Sequence, residues 1–211
     1  MLNIDLSSDT TSGPFMQWTA RGTQDLTVPA CTFFLRDGPD KQPLDISNGF
    51  VIDIATLKTG WCQTEGVIGV APEWKWNQST SQMMPSPGEG WKKGISVRVA
   101  LSKNKTAVWE QAGAAVWDAL IHLVPQINKE VGPNEVPQVI LKDVAQKKYK
   151  KGSTAVPLLD VKQWIERPDS LKAGPSEIVI NPVQPAAQPA AQPAAQPAAQ
   201  PAAEIHPDDL F

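Results

Sequence analysis

The chain is poor in the residues that most site chemistry requires. Its 211 residues include two cysteines, two histidines and a single tyrosine. Cys31 and Cys62 stand alone, and with only His122 and His206 to join them no Cys/His set can close a tetrahedral zinc site. A disulfide between them has no support in a sequence that reads as cytosolic. No apolar run of about 18 residues occurs, so no membrane-spanning helix is expected. Met1-Leu2-Asn3-Ile4-Asp5 carries an acid where a secretory signal needs a basic region. The expected location is therefore cytoplasmic, without membrane attachment. Phosphate-cradling loops are missing too, because Gly38-Pro39-Asp40-Lys41 and Gly88-Glu89-Gly90 have the wrong spacing. His122 has neither a nucleophile nor an orienting acid readable beside it. Asp5 with Asp9, or Asp37 with Asp40, could serve a metal-dependent nuclease, but such pairs are common at turns and the turn reading is preferred. The chain is read as non-enzymatic, with no cofactor and no metal.

Charge is missing from one long segment. Gln184 to Ala203 are five consecutive Gln-Pro-Ala-Ala repeats with no charged, aromatic or large aliphatic side chain. A proline every fourth residue interrupts helices and central strands, and Ala and Gln offer too little apolar area to offset the entropy of ordering. Three parts follow: a domain over residues 1–177, a disordered linker over 178–203 and a tip over 204–211. The domain is neutral, with 19 basic and 19 acidic residues, but unevenly so. Residues 1–57 carry 3 basic and 7 acidic residues, a net charge of −4, whereas 58–172 carry 16 and 11, a net +5. A basic sector inside an acidic protein points to a local anionic partner.

What the domain does have is β-pattern. Phe15–Arg21, Ala30–Arg36, Phe50–Trp61, Val67–Trp76 and Gly94–Leu101 are rich in aromatic and β-branched residues and are separated by Gly, Pro, Asn and Asp. Over 94–101, Ile95, Val97, Val99 and Leu101 fall on one face and Arg98 on the other, a half-buried strand presenting a cation. From Thr106 to Lys129 the apolar residues recur at three and four, which predicts an amphipathic helix capped by Thr106, kinked or broken at Pro125 and ended by Gly132-Pro133. Two further strands, Gln138–Gln146 and Thr154–Ile165, close the domain as a hairpin. Strands, one helix, then a hairpin is the outline of a mainly β fold, an OB-like five-stranded Greek-key barrel with an inserted helical segment. A small sandwich is the alternative.

Eight tryptophans accompany the one tyrosine. Trp74-Lys75-Trp76 in a strand sets both indoles on one face with the lysine opposite, and Trp91-Lys92-Lys93 follows a Pro/Gly-rich loop. Aromatic faces edged by cations suit single-stranded nucleic acid, since every base stacks and every phosphate attracts Lys or Arg. Core packing is the competing reading for each tryptophan, and the preferred one for Trp109 and Trp117. Lys147-Lys148-Tyr149-Lys150-Lys151 must be exposed, because unpaired ammonium groups are too costly to bury. The candidate DNA-binding set is thus Trp61, Trp74, Lys75, Trp76, Trp91, Lys92, Lys93, Arg98, Lys147, Lys148, Tyr149, Lys150 and Lys151.

The tip, Glu204-Ile205-His206-Pro207-Asp208-Asp209-Leu210-Phe211, finishes a tether with acids and then two large apolar residues. Such a peptide suits a hydrophobic pocket ringed by Lys or Arg. At ~3.1 Å per residue the extended repeats span roughly 60 Å, enough to reach a partner or fold back. Linker and tip together resemble bacterial and phage single-stranded DNA-binding proteins, most nearly a divergent phage or prophage type. The resemblance implies an OB-fold domain that protects single-stranded DNA during replication, recombination or repair. It also implies a tip, Asp208, Asp209, Leu210 and Phe211, that recruits replication or repair proteins such as a polymerase, helicase or nuclease, and that competes with DNA for the protein's own groove. This tip has three acids, and Leu210-Phe211 replaces the usual Ile-Pro-Phe ending. Asp209-Leu210-Phe211 is also similar to the Leu-Phe ending of sliding-clamp-binding peptides, so an adaptor that binds a clamp and no DNA is one alternative and the nuclease is the other. Whether the chain forms a homo-oligomer is left open.

Overall fold

The computed structural model describes residues 13–64, 70–128, 132, 134–150 and 152–172. The linker, the tip Asp208–Phe211, Lys151, Asp5 and Asp9 lie outside the described residues. The β-rich runs form ten strands: β1 Phe15–Thr19, β2 Thr32–Asp37, β3 Asp40–Pro43, β4 Phe50–Ile52, β5 Lys58–Gln63, β6 Glu73–Trp76, β7 Lys92–Ser102, β8 Lys105–Ala112, β9 Glu135–Tyr149 and β10 Gly152–Glu166. Helix α1, Ala114–Ile127, separates β8 from β9, and a single turn, α2 Asp169–Lys172, follows β10. No helix among the described residues is long and apolar enough to cross a membrane.

The domain is mainly β, as expected, but its strands form one open mixed sheet of ten rather than five. The order is β10-β9-β4-β7-β8-β1-β2-β3, with β5 continuing along β7 beyond β4 and carrying β6 on its far edge. All pairs are antiparallel except β1 with β8. The sheet wraps one core, in which Trp18, Phe33, Phe50 and Trp109 meet as a tilted and edge-to-face aromatic cluster with centroids 4.9–6.1 Å apart. Ile95, Val97, Val99, Val139 and Leu159 complete it from three strands. Each such fully buried side chain contributes roughly 1.5–3 kcal/mol relative to exposure. Where the ladder stays open, the Trp18 indole N–H on β1 donates to the Ala155 carbonyl of β10 at 3.0 Å.

Several local expectations change. Lys105–Ala112 is a strand, so Thr106 pairs with Ala100 instead of capping a helix. The good helix formers Lys, Ala, Glu and Gln mislead here, while Ala107 and Trp109 alternate inward and the two-residue turn Lys103-Asn104 returns β7 into β8. Gly113, at φ 131°, supplies the backbone that turns β8 into α1. Helix α1 buries Val116, Ala119, Leu120 and Leu123, and runs unbroken through Pro125, which sits in its last turn where only one backbone bond is forgone. The strand expected over Phe50–Trp61 breaks at Asp53 into a 3-10 turn, Ile54–Thr56. Asp53 is fully buried and meets the Arg167 guanidinium at 2.8 and 3.3 Å, tying the segment after β10 to this turn. Only Glu73–Trp76 of the expected Val67–Trp76 strand is observed, residues 65–69 lying outside the described set. The polar strand β3 carries no apolar alternation that would announce it.

Candidate nucleic-acid interface

Strands β5, β6, β7 and β8 form a ribbon whose two faces can be assigned from register. Ile95, Val97 and Val99 point into the core, so Gly94, Ser96 and Arg98 share the outer face. Cross-strand pairing places Gly60 beside Gly94, Lys58 beside Ser96 and Cys62 beside Lys92. It also sets Trp76 beside Gly60 and Trp74 beside Cys62, and Glu110 and Ala112 beside Ser96 and Gly94. Both indoles are therefore on the outer face, as Trp-Lys-Trp alternation predicts, and Lys75 is on the inner one.

The two indoles are stacked on each other, with centroids 4.4 Å apart and planes within 8°. Both are half-buried. Glycine makes this packing feasible. A β-carbon at Gly94 would fall 2.6 Å from Trp74 Cζ3 and 2.9 Å from the Ala112 methyl, and one at Gly60 would fall 3.0 Å from Trp76 Cε3. Isolated glycines inside strands mark such close approaches. The Trp74 indole N–H is buried and has no hydrogen-bond partner among the described residues. Lys58 and Lys92 are exposed along this face. Glu110 is its acid, and burial pushes that carboxyl up, against the pull of Ser96 and Lys58. Cys62 is buried beneath, its thiol pushed up by burial and by Glu110, with Lys92 acting the other way.

The inner face gathers a second set. Trp61 is the register neighbour of both Lys75 and Lys93. The Lys93 ammonium lies 5.9 Å from the Trp61 ring and 5.1 Å from that of Trp117 on α1, and the Lys75 ammonium lies 4.5 Å from the Trp91 ring. The Trp61 N–H donates to the Met84 carbonyl at 2.9 Å, pinning the indole. The candidate residues thus divide between two faces, with Trp74, Trp76 and Lys92 on one and Trp61, Lys75, Trp91 and Lys93 on the other.

Next along α1, Asp118 accepts from Lys147 at 2.7 Å and from the Tyr149 hydroxyl at 2.5 Å. These two candidates are thereby fastened to the helix. Burial works against the Asp118 carboxylate, yet the two donors hold its pKa below the ordinary range, and Tyr149 is pushed up to about 12 by burial and by Asp118. Lys148 and Lys150 alternate to the other side of the hairpin, exposed and with no ion pair among the described residues. Arg98 faces outward as read, but it is half-buried against α2, and the guanidinium donates to the carbonyls of Ser170 and Leu171 at 3.3 and 3.5 Å. It does not join either cluster.

Sequence reasoning missed Lys58, Glu110, Asp118 and the glycine floor. Gly60 and Gly94, each inside an otherwise strong strand pattern, were the available signal. Asp37 and Asp40 face each other across the β2–β3 turn, and among the described residues no group of three His, Cys, Asp or Glu could hold a metal ion. No protein-family model, no curated protein and no solved structure matches this chain.

Proposed function

We propose that the chain is a single-stranded DNA-binding protein that stacks bases on aromatic side chains and holds phosphates with Lys and Arg. The observation that carries this reading is the parallel Trp74–Trp76 pair, half-buried between the exposed Lys58 and Lys92 on a glycine floor. Two stacked indoles that keep part of their surface exposed, with cations at their margins, offer what a base and its phosphate need.

Topology supports an OB-like barrel. The order β10-β9-β4-β7-β8 corresponds to strands 5-4-1-2-3 of that fold, with β5 prolonging its first strand and α1 lying between its third and fourth. Where an OB barrel brings its third and fifth strands together, β1 runs parallel to β8 and reaches β10 through Trp18. On this correspondence, the β5–β7 connection bearing Trp74, Trp76 and Trp91 is the loop between strands 1 and 2, and the β9–β10 turn bearing Lys148 and Lys150 is the loop between strands 4 and 5. Those two loops flank the oligonucleotide-binding face of OB folds.

The acidic tip, on the same reading, captures a replication or repair protein while the linker gives it reach. Titration of tryptophan fluorescence with oligo-dT at two salt concentrations tests DNA binding: quenching with a steep salt slope is expected. Absence of quenching at low salt overturns it. Deleting Asp208–Phe211 should preserve or tighten DNA binding and abolish partner capture, and weaker DNA binding after deletion contradicts the assignment of the tip.

A further inference from the structure

Glu110 is out of place on a surface for a polyanion. It lies beside Ser96, and Ser96 lies beside Lys58, so a carboxylate, a hydroxyl and an ammonium form one row across β8, β7 and β5. The adjacent row on the same face is Ala112, Gly94 and Gly60, against which the Trp74 ring rests. Same-face rows are about 7 Å apart along a strand, which is within the span of a base lying beside that ring. Burial pushes the Glu110 carboxyl up, and no ion pair closes on it among the described residues. A carboxylate kept half-buried in this way repels phosphate and suits a ligand edge that brings two donors side by side.

We infer that Glu110 is the specificity-determining residue of this face, accepting from the Watson–Crick edge of a guanine stacked at the Trp74–Trp76 pair. The inference rests on the single-stranded DNA reading and deepens it. An ionised carboxylate only accepts. Guanine alone offers it two adjacent donors, N1–H and the N2 amine, followed by the O6 acceptor. The row matches that edge in order: Glu110, which also accepts from the buried Ser96 hydroxyl, takes the two donors, and the exposed Lys58 donates to O6. Thymine sets its one N3–H between two carbonyl oxygens, which a carboxylate opposes. Cytosine and adenine each put a ring-nitrogen lone pair beside their single amine. Single-stranded bases are commonly read on this edge.

The test uses the full chain and three oligonucleotides: oligo-dT, oligo-dT carrying isolated dG, and the same strand with deoxyinosine, which lacks the N2 amine, at the dG positions. The dG strand should bind about tenfold more tightly than oligo-dT, within the usual discrimination of a two-bond base contact, with the inosine strand between them. Glu110→Gln should bind oligo-dT at least as well as the wild type and lose the dG preference. Equal binding of all three strands by the wild type overturns the inference, as does a preference that survives in Glu110→Gln or a gain that is the same for every strand. Should the variant fail to fold, the dG-against-inosine comparison on the wild type decides alone. Failure of every strand to quench the tryptophans removes the DNA-binding reading itself, an outcome distinct from equal binding.

Discussion

Two aromatic clusters, one in the core from β2, β4 and β8 and one on the outer face from β6, are built on opposite principles. Inside, Phe33 and Phe50 meet Trp109 edge-on, at 84° and 86°, surrounded by aliphatic side chains. Outside, Trp74 and Trp76 lie parallel and half-buried on a glycine floor, with lysines on neighbouring positions. Edge-to-face packing fills a volume in several directions at once and suits a closed interior. Parallel stacking leaves flat rings in register, which another flat ring can join. Composition alone makes the eight tryptophans equivalent; orientation and surroundings separate those that hold the fold from those available to a ligand.

Truncation should break the two clusters differently. Trp109→Ala removes a ring that is 1% exposed and touches two phenylalanines, so a loss of about 3–5 kcal/mol is expected, seen as a large fall in thermal midpoint. Trp74→Ala with Trp76→Ala should cost less in stability, about 1–3 kcal/mol, because both rings lie outside the core and keep part of their surface exposed. The same double variant should lose roughly 1–3 kcal/mol of DNA affinity per base stacked, read by anisotropy of a labelled oligonucleotide. A double variant that melts as early as Trp109→Ala yet binds DNA normally would make both clusters structural.

How much of this was legible depended on which force set each segment. The alternation of Gly94 to Leu101 marked β7 because one face packs against the core, and the final hairpin declared itself by length and β-branching. Lys105–Ala112 did not, since its strand character comes from pairing with β7 on one side and β1 on the other, which local propensity does not record. That difference matters for the site: on a helix, Glu110 has no face and no neighbours in common with Ser96 and Lys58, and their row is invisible. Trp74 and Trp76 were legible as a same-face pair, but their stacking depends on two glycines distant in sequence. Asp118 was unreadable for a similar reason, its partners Lys147 and Tyr149 being on another element.

The hairpin permits a finer comparison, between its fastened side and its open side. Lys148→Ala with Lys150→Ala should lower the slope of log affinity against log salt by about 0.7 for each phosphate left without its ammonium partner. Lys147→Ala should change it less, because that ammonium is already neutralised by Asp118 at 2.7 Å. Equal effects from the two sides would mean that DNA displaces Asp118 and that the fastened lysine is recruited on binding.

The smallest effect concerns the fastening itself. Tyr149 is the chain's one tyrosine, so phenolate absorbance reports it alone. A wild-type midpoint of about 12 is expected, burial and the Asp118 carboxylate both opposing ionisation. Asp118→Asn should bring the midpoint toward the ordinary value of about 10, measured in a pH jump that outruns alkaline unfolding. The signs at the two ends differ. Tyr149, raised on folding, contributes stability that is complete below its unfolded value and is lost as pH rises toward its folded one. Asp118, lowered on folding, contributes stability that is complete above the ordinary carboxylate range and is lost as acid protonates it. Between those limits the link between α1 and the hairpin is constant, so DNA affinity that varies between about pH 6 and 8 must come from another group. An unshifted Tyr149 midpoint in Asp118→Asn would show that burial alone sets it, and that the hairpin base stays packed without the Asp118 charge.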